Sequence, residues 1–169
     1  MNLQQLMNGM QQHARSINSL AGGVPDTQAR WKPDPESWSI LEVIHHLYDE
    51  ETYDFRTRLD IILHRPEEQW PPIDPPGWVT ERAYNEQDPA IVLAAFLTER
   101  GKSIQWLRTL ESPDWMATCQ APWGPICAGD MLAAWAAHDL LHLRQLVELQ
   151  WAYTGLIVKP YKTRYAGEW

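Results

Sequence analysis

A chain of 169 residues, 44% apolar and 21% charged, carries enough apolar material for one sizeable core, so a single domain over 1–169 is expected, globular rather than disordered. Fourteen basic against twenty-two acidic residues leave a net charge of −8 at pH 7, which disfavours nucleic acid and anionic membrane as partners. The opening stretch MNLQQLMNGMQQHARSI lacks the apolar stretch of a signal peptide, and the longest apolar run, MLAAWAA, is far too short to span a bilayer, so the expected location is the cytoplasm. The two cysteines, Cys119 and Cys127, match neither a CxxC redox spacing nor a zinc knuckle and read as reduced structural thiols. Ten Trp and thirteen Pro point either to thick packing between helices or to an aromatic-walled cavity.

In chain order, Leu3, Leu6, Met10, Ile17 and Leu20 recur at three- and four-residue spacing, and Gly22 and Gly23 supply a left-handed stop. This predicts a first helix over about 2–21. A second begins at SWSILEV, where Ser39 caps the Glu42 amide, Glu42 reaches back and Trp38 staples onto Val43. Its stripe runs through Ile40, Ile44, Leu47, Phe55, Leu59 and Ile62 to Arg65-Pro66. Residues 65–87 form a Pro-rich connection beyond the usual length, whose Trp70, Trp78 and Tyr84 predict a packed lid over the cleft. A third helix starts at DPAIVLAAF, with Asp88 as cap and Pro89 in the first position, and stops at Ser112-Pro113. Residues 112–127 are long enough to let the third and fourth helices run parallel. The fourth covers about 128–153 and ends at Gly155; the tail 156–169 has no assignable pattern. With no period-2 alternation long enough for a strand and no repeat, four long helices make an all-α, four-helix bundle.

The chemistry gathers around HDLLHLRQL. At 100° per residue, His138 and His142 share a face with Met131, Trp135, Gln145 and Leu149, so both point inward as neighbours on a buried stripe. Side chains four apart lie about 5–6 Å apart at Cβ and let two imidazoles converge on one ion. A third donor stands on the second helix, where His46 shares its face with Glu42, Glu50 and Tyr53, opposite the apolar stripe and lining an open polar cleft. The competing reading makes His46 a surface residue and the other two hydrogen-bonded core histidines. HDLLH differs from the HExxH of zinc peptidases by Asp139 for Glu, with no downstream ligand, so Asp139 is expected to orient a histidine ring, to form a salt bridge or to assist a water, in that order.

WSILEVIHHLYDEE, followed after the Pro-rich loop by GDMLAAWAAHDLLHLRQL, resembles the DinB superfamily, in particular its YfiT-like branch of metal-dependent hydrolases and thiol transferases, over about residues 30–150. The W-S-x-x-E-x-x-x-H-L opening and the H-D-x-x-H-x-x-Q helix occur together in the family's order. The resemblance implies an up-down-down-up bundle with a divalent ion, zinc or nickel, on His46, His138 and His142, and Gln145 in the place of the family's Gln. His45, 100° from His46, should border the packed stripe near Leu41, Tyr48 and Leu59; His13 and His64 are assigned packing or surface roles. Three neutral imidazoles leave one position open to water or substrate, the arrangement of a catalytic site, where the ion lowers the pKa of water or of a thiol. The expected activity is thiol S-transfer, the family's thiols being bacillithiol and mycothiol, with Arg82 and Arg144 as candidate partners for the thiol's anionic groups. The alternatives are a metal-dependent hydrolase and a non-enzymatic, metal-binding dimeric bundle. Glu50, one turn beyond His46, is expected to move a proton, with Asp139 second; Trp70, Trp78, Trp135 and Gln145 are expected to contact substrate. The expected partners are a small-molecule substrate and a second copy of the chain.

Overall fold

The computed structural model describes residues 1–167. Helix α1 (Leu3–Ala21) starts where the Asn2 side chain accepts the Gln5 amide and buries Met7, Met10, Ala14, Ile17 and Ala21, one face of a 3.6-residue repeat. Its left-handed stop is at Gly23, φ +77°, while Gly22 is extended. After the single turn α2 (Asp26–Ala29), α3 (Ile40–Asp49) opens on a reciprocal cap: Ser39 Oγ accepts the Glu42 amide at 3.1 Å and the Glu42 carboxylate accepts the Ser39 amide at 2.8 Å. The same rod passes through a π turn, Glu50–Asp54, into α4 (Phe55–His64). The following connection contains α5 (Pro75–Glu81) and a 3-10 turn, Tyr84–Glu86. Helix α6 (Pro89–Thr109) begins on the Asp88 cap with Pro89 in its first turn and ends short of Ser112-Pro113.

Residues 118–127 form a hairpin that the sequence pattern does not reveal: β1 (Thr118–Ala121) pairs antiparallel with β2 (Gly124–Cys127), Ala121 opposite Gly124. Four-residue strands are too short for alternation to stand out. Helix α7 (Ala128–Ile157) then runs the length of the bundle, straight through Gly155; an interior glycine costs about 1 kcal/mol and does not stop a helix that is anchored by packing.

Helix directions follow from the contacts between helices. His13 meets Asp139, and the Gln150 amide donates to the Leu20 carbonyl, so α1 and α7 are parallel. Arg100 reaches the Met10 carbonyl, and Gly22 lies against Leu93, so α6 opposes α1. Trp38 stacks near His142 and Phe55 on Trp135, so the α3–α4 rod opposes α7; Glu51 with Arg100 and Arg56 with Ser103 make that rod parallel to α6. The order is up, down, down, up. The parallel neighbours are therefore the second and third long helices, and α6 and α7 run antiparallel, contrary to the expectation for residues 112–127. The α3–α4 rod is about 37 Å long at about 1.5 Å per residue, and only the 65–88 segment spans that return; the 112–127 segment folds back on itself as the hairpin.

Two packed clusters share the interior. One joins Met7, Met10, Leu59, Ile62, Leu132 and Trp135, and the other Ile17, Leu41, Ile44, Phe96 and Leu146. Between them lies a buried ionic cluster: Arg100 donates to both oxygens of Glu51 and both of Asp139, and Trp135 Nε1–H donates to Glu51.

Candidate metal centre

His46 stands on the last turn of α3, immediately before the π turn, and His138 and His142 lie one turn apart on α7, facing it. The three Nε2 atoms meet: His138 Nε2 is 3.1 Å from His142 Nε2 and 3.4 Å from His46 Nε2. Among the described residues these three form the one group of His, Cys, Asp or Glu whose donor atoms converge closely enough for an ion. Ligands held tetrahedrally at about 2.0–2.1 Å from zinc lie about 3.3 Å apart, so the observed separations match that geometry.

Proton placement supports the match. Gln145 Oε1 accepts the His142 Nδ1 proton at 2.8 Å, which leaves the His142 Nε2 lone pair directed at the centre. Burial, reinforced by the neighbouring imidazoles His142 and His138, pushes His46 down to about 2. Burial and His142 push His138 down to about 4 against the pull of Asp139, and burial also lowers His142. All three rings are thus neutral at pH 7, so each can offer an unprotonated nitrogen to a cation placed between them. The residues present fit a divalent ion.

The rings are walled by aromatics. Phe55 lies 5.0 Å from His138; Trp38 lies 4.9 Å from His46 and is stacked parallel to His142 at 6.4 Å. Trp38 is the contact that sequence reasoning assigned to a staple instead; its position immediately before the Ser39 cap, on the approach to the His46 helix, was the available signal. Trp38 and Gln145 also line a cavity of about 480 Å³ with Glu36, Ser37, Glu148 and Leu149. Gln145 therefore sits between a histidine and a cavity, whereas the other expected substrate contacts lie elsewhere.

Trp135 is 1% exposed, stacked on Phe55 and bonded to Glu51, and so belongs to the core. Trp70 packs against Trp123 and beneath the Arg58 guanidinium. Trp78 packs against Tyr53 and beneath Arg82. The 65–88 segment does not roof the histidines with Trp70 or Trp78; it is fastened to the flank of α3, where Tyr84 Oη donates to Asp49 at 2.5 Å, Arg82 pairs with Asp49 at 2.8 Å and Tyr84 stacks on His45 at 4.0 Å. His45 is thereby committed to Tyr84 and Asp49 rather than to the centre, and it borders Tyr48 as expected. The face of Glu42, His46 and Glu50 is not an open cleft either, because α7 closes over it and leaves these residues 3%, 6% and 5% exposed.

Of the two carboxylates expected to move a proton, Asp139 is bonded elsewhere and Glu50 stands behind His46. Asp139 is fully buried between Arg100 and His13, which fulfils the salt-bridge role and orients His13 rather than a ligand. Glu50 lies behind His46, 4.0 Å from Nδ1 and not on the Nε2 side, and burial with the adjacent Asp54 carboxylate raises it to about 8. His64 pairs with Asp60 on the surface.

A helical bundle with an inward three-histidine cluster defines the structural class, and the comparisons place the chain within it. The model of the DinB superfamily matches residues 10–146, and the chain belongs to that superfamily. Among solved structures it is similar to YfiT from Bacillus subtilis, described as "a probable metal-dependent hydrolase with an unusual four-helix bundle topology": TM-score 0.79, 19% identity, over 90% of this chain and 87% of that one. No curated protein matches the chain.

Proposed function

We propose that this protein is a metal-dependent enzyme in which His46, His138 and His142 hold one divalent ion, zinc or nickel, and a position left free by the protein receives a small nucleophile. The observation that carries this reading is the meeting of three neutral Nε2 donors, with that of His138 lying 3.1 Å from His142 and 3.4 Å from His46. When bound, the ion supplies Lewis acidity that lowers the pKa of a thiol or of water. The chain's own residues prepare that chemistry. Gln145 fixes the tautomer of His142, burial keeps His46 and His138 unprotonated, and Trp38 and Phe55 hold the rings and exclude bulk water. No anionic residue joins the donor set among the described residues, so the ion keeps its full charge.

Thiol S-transfer is the first activity this reading assigns, in keeping with the DinB membership. A specific observation supports hydrolysis as the second. The two arginines available for an anionic thiol are engaged elsewhere, Arg82 with Asp49 and Arg144 with Glu148, and the cavity beside Gln145 is lined by the carboxylates of Glu36 and Glu148. The test incubates zinc- or nickel-loaded protein with monochlorobimane and a panel of thiols including bacillithiol and mycothiol, in parallel with ester and amide substrates. Metal-dependent conjugation that disappears in His142→Ala establishes the transferase; hydrolysis without conjugation establishes the hydrolase. Metal uptake with neither conjugation nor hydrolysis favours the non-enzymatic, metal-binding dimeric bundle, and a chain that takes up neither ion refutes the metal reading itself.

A further inference from the structure

We infer that Glu50 is a positioning residue for the metal centre: with Asp54 and Arg58 it forms a buried file behind His46, accepts a hydrogen bond from His46 Nδ1–H and so aims Nε2 at the ion. The inference rests on the three-histidine reading above. Glu50 Oε1 lies 4.0 Å from His46 Nδ1, and both atoms are buried with no hydrogen-bond partner among the described residues. Nδ1 is the nitrogen turned away from the cluster, because Nε2 is the one that faces His138. A carboxylate at that place touches the outer edge of the ring and cannot reach the reacting atoms. Metal-ligating histidines commonly give the other ring proton to a carboxylate or carbonyl. His142 already does the equivalent with Gln145, and Glu50 is the corresponding acceptor for His46, one small side-chain rotation from hydrogen-bond distance.

The file behind Glu50 shows why it stays there. Arg58 Nε lies 2.6 Å from Asp54 Oδ1, and the Arg58 guanidinium lies over the Trp70 ring at 4.6 Å, which fixes the far end. In a plain α-helix, positions four apart drift by about 40° per step and the four side chains would spiral away from one another. The π turn over Glu50–Asp54 takes more residues per revolution and returns Asp54 and Arg58 toward the line of His46 and Glu50.

The experiment compares wild type with Glu50→Gln and with Glu42→Gln, a buried carboxylate one turn before His46 that belongs to the helix cap and pairs with Lys32. Zinc affinity is read by competition with a chromophoric chelator, ligand geometry by the visible spectrum of the cobalt-substituted protein, and integrity by thermal unfolding of the metal-free chain. Glu50→Gln is expected to lose about 10–100-fold in zinc affinity and to alter the cobalt bands. Glu42→Gln lowers the unfolding temperature and leaves affinity within about twofold of wild type, small beside the loss expected for an outer-shell partner. If Glu50→Gln does not fold, Glu50→Asp, which withdraws the oxygens by one methylene, carries the same comparison. Affinity unchanged at position 50, or an equal loss in Glu42→Gln, overturns the inference while the histidine reading stands. A wild-type chain that binds neither zinc nor cobalt overturns both.

Discussion

Replacing Arg100 with methionine tests how the bundle tolerates charge in its centre. Arg100 is 3% exposed and donates to Glu51 at 2.9 and 2.9 Å, to Asp139 at 2.6 and 2.8 Å, and to the Met10 carbonyl at 3.2 Å. Methionine fills the volume of the stem and offers no donor, so two buried carboxylates lose the cation they share. Removing one partner of a buried pair costs about 3–5 kcal/mol, and with two acceptors abandoned the expected loss at pH 7 is about 5 kcal/mol, a large part of a typical domain's stability. The pH dependence carries a sign that identifies the cause. In the wild type, burial alone would raise Asp139, but hydrogen bonds from Arg100 and His13 outweigh it and hold the carboxyl below its ordinary value. That contribution is complete above the ordinary carboxylate range and is lost as pH falls through the depressed folded value. In Arg100→Met the buried Asp139 carboxylate, stripped of the guanidinium, lies above its unfolded value, the native state binds more protons, and stability rises as pH falls from 7 to about 5. Urea denaturation at the two pH values measures both effects. A loss below about 2 kcal/mol at pH 7 with no recovery at pH 5 refutes the reasoning, since it falls short of the cost of stranding a buried charge. The triple change Arg100→Met, Glu51→Leu, Asp139→Leu removes every charge of the cluster and is expected to recover most of the loss.

Elemental analysis of purified protein is expected to show about one divalent ion per chain, falling sharply in His46→Ala, His138→Ala and His142→Ala and unchanged in His45→Ala; loss on changing His45 alone would reassign the ligand. Because burial holds His46 down to about 2 and His138 to about 4 and also lowers His142, protons compete for these ligands only in acid, so in Glu50→Gln, which has no titrating carboxyl behind His46, zinc affinity measured by chelator competition does not begin to fall at the ordinary histidine value. A steep fall beginning near the ordinary histidine value of about 6.5 would contradict the buried geometry. Tyr84→Phe removes the hydroxyl that donates to Asp49 and is expected to cost about 1–3 kcal/mol in chemical denaturation, with zinc content unchanged.

Much of the centre was legible as pattern. Two histidines four apart on an apolar face must lie side by side once the helix forms, and the resemblance to DinB sequences, through HL after the Ser39–Glu42 cap, points to His46 on the second helix. The Asp88-Pro89 and Ser39-Glu42 helix starts were equally plain, because capping chemistry acts over three residues and is written locally. The misplacements share one cause. Trp135 and the Trp70 and Trp78 loop are placed by which face of their own helix or loop they occupy, while their roles depend on which neighbour arrives there.

The sequence by itself determined the number of long helices, their starts and the spacing of the imidazole pair, since helix propensity, capping and a 3.6-residue period involve only neighbours along the chain. Tertiary structure alone decided the rest: Arg100 arrives from α6 to claim Asp139, Tyr84 and Arg82 return from the connection to claim Asp49 and His45, and Trp38 rather than Trp78 packs on the imidazoles. The π turn that sets Glu50 behind His46 belongs with these. No local rule requires the extra residue in that turn; it is sustained by Asp54, Arg58 and Trp70, groups brought together only when the rod, the connection and the hairpin have packed.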